Sequence, residues 1–490
     1  MKIAILYSFL FLLLLLLFTS ESLSSSPPAV CILGSGIGGS SVAHFLRTYS
    51  NPSQVGSIKI FERHGVVGGR MATVTVSGDT FEAGGSILHP KNYHALNFTN
   101  YLNLKVKKAS SSESDSSFGI WDGSKFLFKT LPSNSKLPIL QKIVSFANSV
   151  LIFLRYGFSL FRMEDFVEGT VNKFLKFYER VESRPVFEDV EEMLKWSGLY
   201  NLTTRTLEEE LTDAGLSTTL IQELVTVITR INYGQSVTMS GLAGAVSLAG
   251  SGGGLWSVEG GNWQMAAGLI NRSNVELHLG EEIDSVYYSG KQYELKTTKG
   301  KSYFCEVVVV ATPLDELNIH FVPGITIPDR RLQHTHTTFI RGLLNLSYFG
   351  LRSLSDLPEL VGTIETSEVP FSSISVLKRY SEHDMTYKLF SRSYMEDDLL
   401  EKIFSVRNET IKIDWGAYPV FHAHEVFAPL ILDGQHLYYV NAFENAASTM
   451  ETSAVSAENI ARLILSRLEI EALSSVPESF SDAFKMHSEL

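Results

Sequence analysis

The sequence predicts an α/β chain in which one sheet is assembled from distant segments and interrupted by two insertions. Three observations carry this reading. The apolar run Ala29–Leu33 meets Gly34-x-Gly36-x-x-Gly39 and then gives way to helix-like spacing up to Leu46. A second β-rich run, "SIKIFE", ends on Glu62, 23 positions beyond Gly39. Further strand-like runs, "VELHL", "CEVVVVA" and "LYYV", recur only after a long helical stretch, and the three runs nearest the chain ends are expected to share a sheet. At 490 residues the chain exceeds one ordinary core, so two intertwined domains are expected.

Composition narrows the partners. Hydrophobic residues make up 44% and charged ones 19%, which excludes general disorder. The net charge of −12 gives no basic field for a polyanion, so nucleic acid is excluded as a partner. Lys2, the run Ile3–Phe18 and the small polar residues after it read as a signal peptide over 1–26, with an uncleaved anchor as the alternative. Five N-x-[ST] sequons, at Asn97, Asn201, Asn271, Asn345 and Asn408, fit lumenal exposure. The expected location is the secretory pathway, ending in lysosome or vacuole, at a membrane or outside the cell. The C-terminal "HSEL" argues against ordinary retrieval to the endoplasmic reticulum. Cys31 and Cys305 both sit in apolar, strand-like surroundings and are read as two buried thiols, with a bridge between them left open.

The first glycine turn has the makings of a nucleotide grip. Gly34 suits a tight turn, Gly36 lets a pyrophosphate approach the backbone, Gly38 lies between them and the helix, and Gly39 lets helix pack on strand. Glu62 stands where a ribose-binding carboxylate belongs, with Arg63 beside it. Gly68-Gly69-Arg70 and then Gly84-Gly85 follow. This succession resembles the FAD-binding domain of amine-oxidase and phytoene-desaturase type flavoproteins. The resemblance implies that Glu62 holds the adenosine ribose, that the turn ending in Arg70 lies along the pyrophosphate and ribityl chain, and that Gly84-Gly85 lie near the isoalloxazine. NAD is the weaker alternative. In the same superfamily "NVELHLGEEIDSVYY" lies against the adenine, and the strand, turn and helix around "LYYVNAFENAASTMET" add Glu444, Met450 and Glu451 as cofactor-binding candidates.

The insertions are read next. Amphipathic spacing predicts helices from about Pro138 to Leu248, and "TTFIRGLLNLSYF" with its neighbours predicts a mixed sheet and cap over about Leu317–Leu432. Segments 29–100, 240–316 and 433–470 are assigned to the cofactor domain, and 101–239 with 317–432 to a substrate domain. The Ser-rich stretch Ala109–Phe118 reads as solvated loop. Leu137–Leu160 is apolar for two dozen residues yet holds Lys142 and Arg155. A core helix is the plainer reading, and an interfacial helix admitting a lipid-like substrate the sharper one.

"LYYVNAFENAASTMETSAVSAENIA", "SGGGLWSVEGGNWQMAAGLI" and "HTHTTFIRGLLNLSYFG", together with the opening motif, closely resemble prenylcysteine oxidase, called farnesylcysteine lyase in plants. The likeness spans about Ala29 to Leu465. It implies an FAD enzyme that cleaves the thioether of S-prenyl-cysteine, with dioxygen as acceptor, to cysteine, a prenyl aldehyde and hydrogen peroxide. Ser240–Trp263 is the candidate pocket stretch, with Trp256 or Trp263 as a wall and aromatic residues of both insertions lining a prenyl tunnel. No catalytic side chain is assigned. His334-x-His336 and His422-x-His424-Glu425 lack further apparent ligands, so no metal is assigned. The rival readings are a secreted amine or polyamine oxidase and a lipid carrier without turnover.

Overall fold

The computed structural model describes residues 26–108, 117–132 and 138–474. The leader over 1–26, apart from its last residue, and most of the Ser-rich stretch lie outside them. All five strand-like runs, rather than three, form one parallel sheet in the order Leu437–Tyr439, Val307–Val310, Val30–Leu33, Ile58–Glu62, Glu276–Leu279. The central strands are β-branched and almost wholly buried, as a parallel sheet covered on both faces requires. The helices Ile37–Tyr49 and Met450–Ser474, from near the two ends of the described chain, pack together over it.

Adjacency in this sheet corrects the expectation of free thiols. Cys31 pairs with Val308, and Cys305 ends the strand Ser302–Cys305 that leads into Val307–Val310. The two cysteines are joined as a disulfide with Cα atoms 5.9 Å apart, inside the span a disulfide needs.

The second insertion builds a seven-stranded sheet, ordered Phe404–Pro419, Leu332–Leu344, Asp384–Ser391, Ser373–Ser381, Leu360–Thr363, Phe118–Trp121, Phe126–Lys129. It is mixed, because Leu360–Thr363 runs parallel to Phe118–Trp121 while the other pairs are antiparallel. Its last two strands come from the front of the first insertion, which ties the insertions into one body. Helices Ser159–Phe174, Leu207–Asp213 and Thr226–Tyr233 form a layer with Gly241–Ala249, a helix from the 240–316 segment. Many aromatic residues of the insertions serve as core: Phe177 and Tyr178 pack with Trp196 and Phe443, and Phe349 with Trp121.

Leu137–Leu160 corrects the core-helix expectation. Pro138–Tyr156 and Ser159–Phe174 are two helices turning at Gly157, and between Ile139 and Tyr156 only Tyr156 is buried.

Candidate functional site

A cavity of 520 Å³ runs along the carboxyl ends of the parallel strands and under the seven-stranded sheet. This is where ligands sit in open α/β sheets. Its floor is the first glycine turn. Gly34 has φ +108°, and a Cβ there would stand 2.7 Å from the Ala311 carbonyl oxygen, so a side chain is excluded twice over. Gly36 occupies the N-cap of Ile37–Tyr49 without a capping side chain, and Gly36, Ile37 and Gly38 line the cavity. A helix start of this kind presents backbone N–H groups to an anion. Gly39 lies beneath rather than along the cavity: its Cβ would be 2.1 Å from the Gly34 oxygen, the close helix-on-strand packing expected of the third glycine.

At one end stand Glu62 and Arg63, with Glu281, Glu282 and Ile283 beside them, Glu281 N donating to the Glu62 carbonyl at 2.9 Å. Glu62 is buried and already anchored. Its Oε2 accepts from Ser35 N at 3.1 Å and Ser35 Oγ at 2.7 Å, and its Oε1 accepts from His64 N at 2.9 Å. Gly68, Gly69 and Arg70 follow along the cavity, then Gly84, Gly85 and Met450, whose sulfur lies 3.6 Å from where a Gly85 Cβ would be.

Arg70 does something that the motif did not indicate. Its Nη1 donates to the Ala417 carbonyl at 2.7 Å and meets Glu444 Oε1 at 2.5 Å, so its charge is matched by a carboxylate rather than left open for phosphate. Glu444 stands behind the cavity wall, bonded also by Asn441 Nδ2 at 2.9 Å and Ser448 Oγ at 2.8 Å. Burial would push this carboxyl up, but Arg70 and Arg330 outweigh it and hold it down at about 2. Glu451 is also outside the lining. Its oxygens accept from the backbone N of His94 (2.7 Å) and Ala95 (3.0 Å) and from the Tyr178 hydroxyl (2.7 Å), so it caps the helix Tyr93–Leu102.

The stretch Ser240–Trp263 does not line the cavity, which corrects its expected role as the pocket wall. Trp256 lies in a short strand with Nε1 donating to the His89 carbonyl, and Trp263 opens a helix with its ring partly in solvent. The segment acts through fully buried Asn262. Its Nδ2 donates to Gly85 O at 2.9 Å, its Oδ1 accepts from Val258 N at 2.8 Å, and its backbone N donates to Glu82 Oε1 at 2.7 Å. Glu82 is pushed up to about 7 by burial, and Lys388 is pushed down to about 8 by burial while donating to the Glu82 carbonyl at 3.0 Å. A buried polar layer therefore backs Ala83-Gly84-Gly85. No sequence signal announces it, because Lys388 shares the polar register of the run "DMTYKLFS" with Asp384 and Thr386, opposite Met385, Tyr387 and Leu389.

Of the two insertions whose aromatic residues are expected to line the cleft, only the second supplies the opposite wall. It comes from the seven-stranded sheet: Thr335, Thr337, Phe390, Trp415, Gly416, Ala417 and Tyr418. Thr337 is 1% exposed, and its hydroxyl and that of Thr335 have no partner within the described protein. Orphaned hydroxyls in a buried cavity wall are what a bound polar group would satisfy. His334 and His336 share Asp414, and His334 also meets Glu316 at 2.7 Å. Among the described residues no group of three or more His, Cys, Asp and Glu is placed to hold one ion.

These features fit a dinucleotide laid from Glu62 along the glycine turn to Gly84-Gly85. The cradle is backbone where a Cβ would intrude, and the wall above it offers orphaned donors.

Comparison with known proteins agrees. Residues 32–102 match the NAD(P)-binding Rossmann-like domain, and residues 139–476 match the prenylcysteine lyase family. Farnesylcysteine lyase of Arabidopsis thaliana is 64% identical over 95% of this chain and 93% of its own. Human prenylcysteine oxidase 1 is 35% identical over 91% of this chain and 90% of its own. Among solved structures, putrescine oxidase bound to putrescine superposes with a TM-score of 0.57 at 13% identity, over 90% of this chain and 99% of that one. Cyclohexylamine oxidase of Brevibacterium oxydans gives 0.54 at 16%, over 90% and 100%. At such identities the structures establish the fold alone. With a family match over most of its length and a relative at 64% identity, the chain belongs to the prenylcysteine lyase family.

Proposed function

We propose that this protein is an FAD-dependent oxidase that cleaves the thioether of an S-prenyl-L-cysteine, a farnesylcysteine in the first instance. The observation that carries this is the single cavity joining a dinucleotide cradle to an aromatic wall supplied by the family-matched region. Thioether, water and dioxygen become cysteine, prenyl aldehyde and hydrogen peroxide. Bound FAD supplies the hydride acceptor, and dioxygen takes the electrons onward. The carbon between sulfur and alkene gives up hydride readily because the positive charge left behind is shared with sulfur and the allylic system. Water adds at that carbon, and the hemithioacetal collapses to thiol and aldehyde.

The chain's own task is placement and shielding. Gly84 lets the backbone close on Arg70, whose carbonyl oxygen would lie 1.9 Å from a Cβ there, and Gly85 faces Met450. Phe390, Trp415 and Tyr418 present an apolar face toward a prenyl chain. An amine oxidase would want a carboxylate free to face the cation, whereas Glu316 and Asp414, the carboxylates beside Trp415-Gly416, both go to His334.

The reading extends to the secretory pathway and to peripheral contact with a membrane, the reservoir of lipid-like substrates. The leader-like N-terminus supports the first, together with sequon asparagines that are exposed at Asn97, Asn201, Asn271 and Asn408 and half-buried at Asn345. The test is to mix the purified protein with S-farnesyl-cysteine without oxygen and follow flavin absorbance. Bleaching, then recovery with peroxide on admitting air, is expected. A bound flavin that stays oxidised would overturn the substrate assignment.

A further inference from the structure

A run of exposed apolar side chains lies on the helices Pro138–Tyr156 and Ser159–Phe174. Ile139, Ile143, Phe146, Leu154, Phe158 and Phe161 are 73%, 56%, 72%, 74%, 72% and 54% exposed. Residues 139, 143, 146, 150 and 154 repeat at three and four positions, so they share one helix face. Phe153, Phe158 and Phe161 cluster across the turn, with ring centroids 5.5 to 6.3 Å apart, so the face continues onto the second helix. The first helix is long and apolar enough to cross a bilayer, but its other side is committed: Tyr156 and Ile152 pack in the core, and Arg155 pairs with Glu223 at 2.6 Å. It lies flat on the protein.

Charge indicates what covers it. Between Asp122 and Glu164 there is no acidic residue, while Lys125, Lys129, Lys136, Lys142, Arg155 and Arg162 fall in that interval. Residues 123–163 thus carry +6 in a chain of net −12, with Arg155 matched by Glu223, and the acidic residues Glu164, Asp165 and Glu168 begin only beyond Phe161 on the second helix. A protein partner for an apolar face needs no such segregation, whereas an anionic lipid surface attracts basic residues flanking apolar ones. The apolar cluster beneath the face also leads inward: Tyr156 belongs to the same core as Tyr233, which packs edge-on to Tyr418 in the cavity wall.

We propose that this two-helix face is the membrane-docking surface of the protein, inserting its apolar side chains among the acyl chains of an anionic phospholipid leaflet with the exposed Lys142 and Arg162 at the headgroups. This deepens the membrane contact proposed above, and its test reads binding without turnover, so it stands or falls apart from the substrate assignment.

The experiment compares the full chain with the triple variant Phe146→Ser/Leu154→Ser/Phe158→Ser by cosedimentation with phosphatidylcholine vesicles, with or without phosphatidylserine at about 3:1. The three side chains are mostly in solvent, so unchanged melting temperature and flavin content verify the fold. The N-terminal segment is common to both proteins, so their difference reads the helical face. The wild type is expected to bind the mixed vesicles, more weakly at high salt or without phosphatidylserine, and the variant to bind at least about tenfold more weakly. Equal binding by both proteins, or equal binding to the two vesicle types, would overturn the proposal. A wild-type dimer that ignores vesicles and is lost in the variant would assign the face to a second copy of the chain.

Discussion

Glu444→Gln tests the charge arrangement behind the cavity. The carboxylate sits 2.5 Å from Arg70 and 3.9 Å from Arg330, with Glu444 4% and Arg330 10% exposed at the side chain. Glutamine keeps the shape and can still accept from Ser448, so the substitution removes charge rather than volume. Breaking a buried pair by neutralising one partner costs about 3 to 5 kcal/mol. Linkage gives a similar figure: a carboxyl held at about 2 instead of 4.5 contributes about 3 kcal/mol at neutral pH. Because the folded value is depressed, this stability is fully present above pH 4.5 and is lost as pH falls from there toward 2. The variant is therefore expected to melt several degrees below the wild type at pH 7, with the gap narrowing below pH 4.5. It should also hold flavin less tightly, because Arg70 lines the cavity. Thermal melts across that range, with flavin released on gel filtration, provide the check. Equal melting at pH 7, or a deficit that does not change with pH, would refute the reasoning.

Gly34→Ala places a Cβ 2.7 Å from the Ala311 carbonyl at φ +108°, so the purified variant is expected to carry little or no flavin in its absorption spectrum. Asn262→Ala strands the Gly85 carbonyl and the Val258 N–H in a buried layer, a loss of about 2 to 5 kcal/mol that a denaturant melt would register, with weaker flavin retention. Cys305→Ser removes a crosslink spanning 274 residues and should cost about 2 to 4 kcal/mol. Peptide mapping without reduction should join the Cys31 and Cys305 peptides in the wild type.

The legible parts of the site were those where backbone chemistry fixes residue type. Gly34, Gly39 and Gly84 could be read because each stands where a Cβ would collide with a carbonyl, a constraint that recurs at fixed spacing. Five β-rich runs announced the sheet, although their common membership required knowing that Val307–Val310 lies between Val30–Leu33 and Leu437–Tyr439. The far wall was illegible for the opposite reason. Thr335 and Thr337 occupy ordinary strand positions, and only the pairing of Leu332–Leu344 with Phe404–Pro419 turns them toward the cleft beside Trp415 and Tyr418. Glu444 and Glu451 were placed near the cofactor by their segment, yet each spends its carboxylate on a neighbour that sequence spacing cannot bring into view. Leu137–Leu160 misled because apolar content reports a preference for leaving water and not what receives it.

The network behind the cavity bears on the kind of chemistry the cleft can host. Arg330 donates to both oxygens of Asp315, at 2.7 and 2.5 Å, and lies within reach of Glu444, which pairs with Arg70. Two guanidinium groups and two carboxylates thus cancel, and the wall they build at Gly69-Arg70 and Ala417 is rigid without imposing a net field. A reaction that binds a charged amine would gain from an unbalanced carboxylate here. One that withdraws hydride from a neutral thioether carbon gains more from a fixed, electrically quiet wall, because the developing positive charge is already shared by sulfur and alkene. Unpairing the network by Glu444→Gln leaves Arg70 as an uncompensated cation in the cavity wall. That variant, reconstituted with excess flavin, should therefore lose rate in the anaerobic bleaching step beyond what its flavin occupancy explains. Bleaching at the wild-type rate per bound flavin would show that the balance serves stability alone.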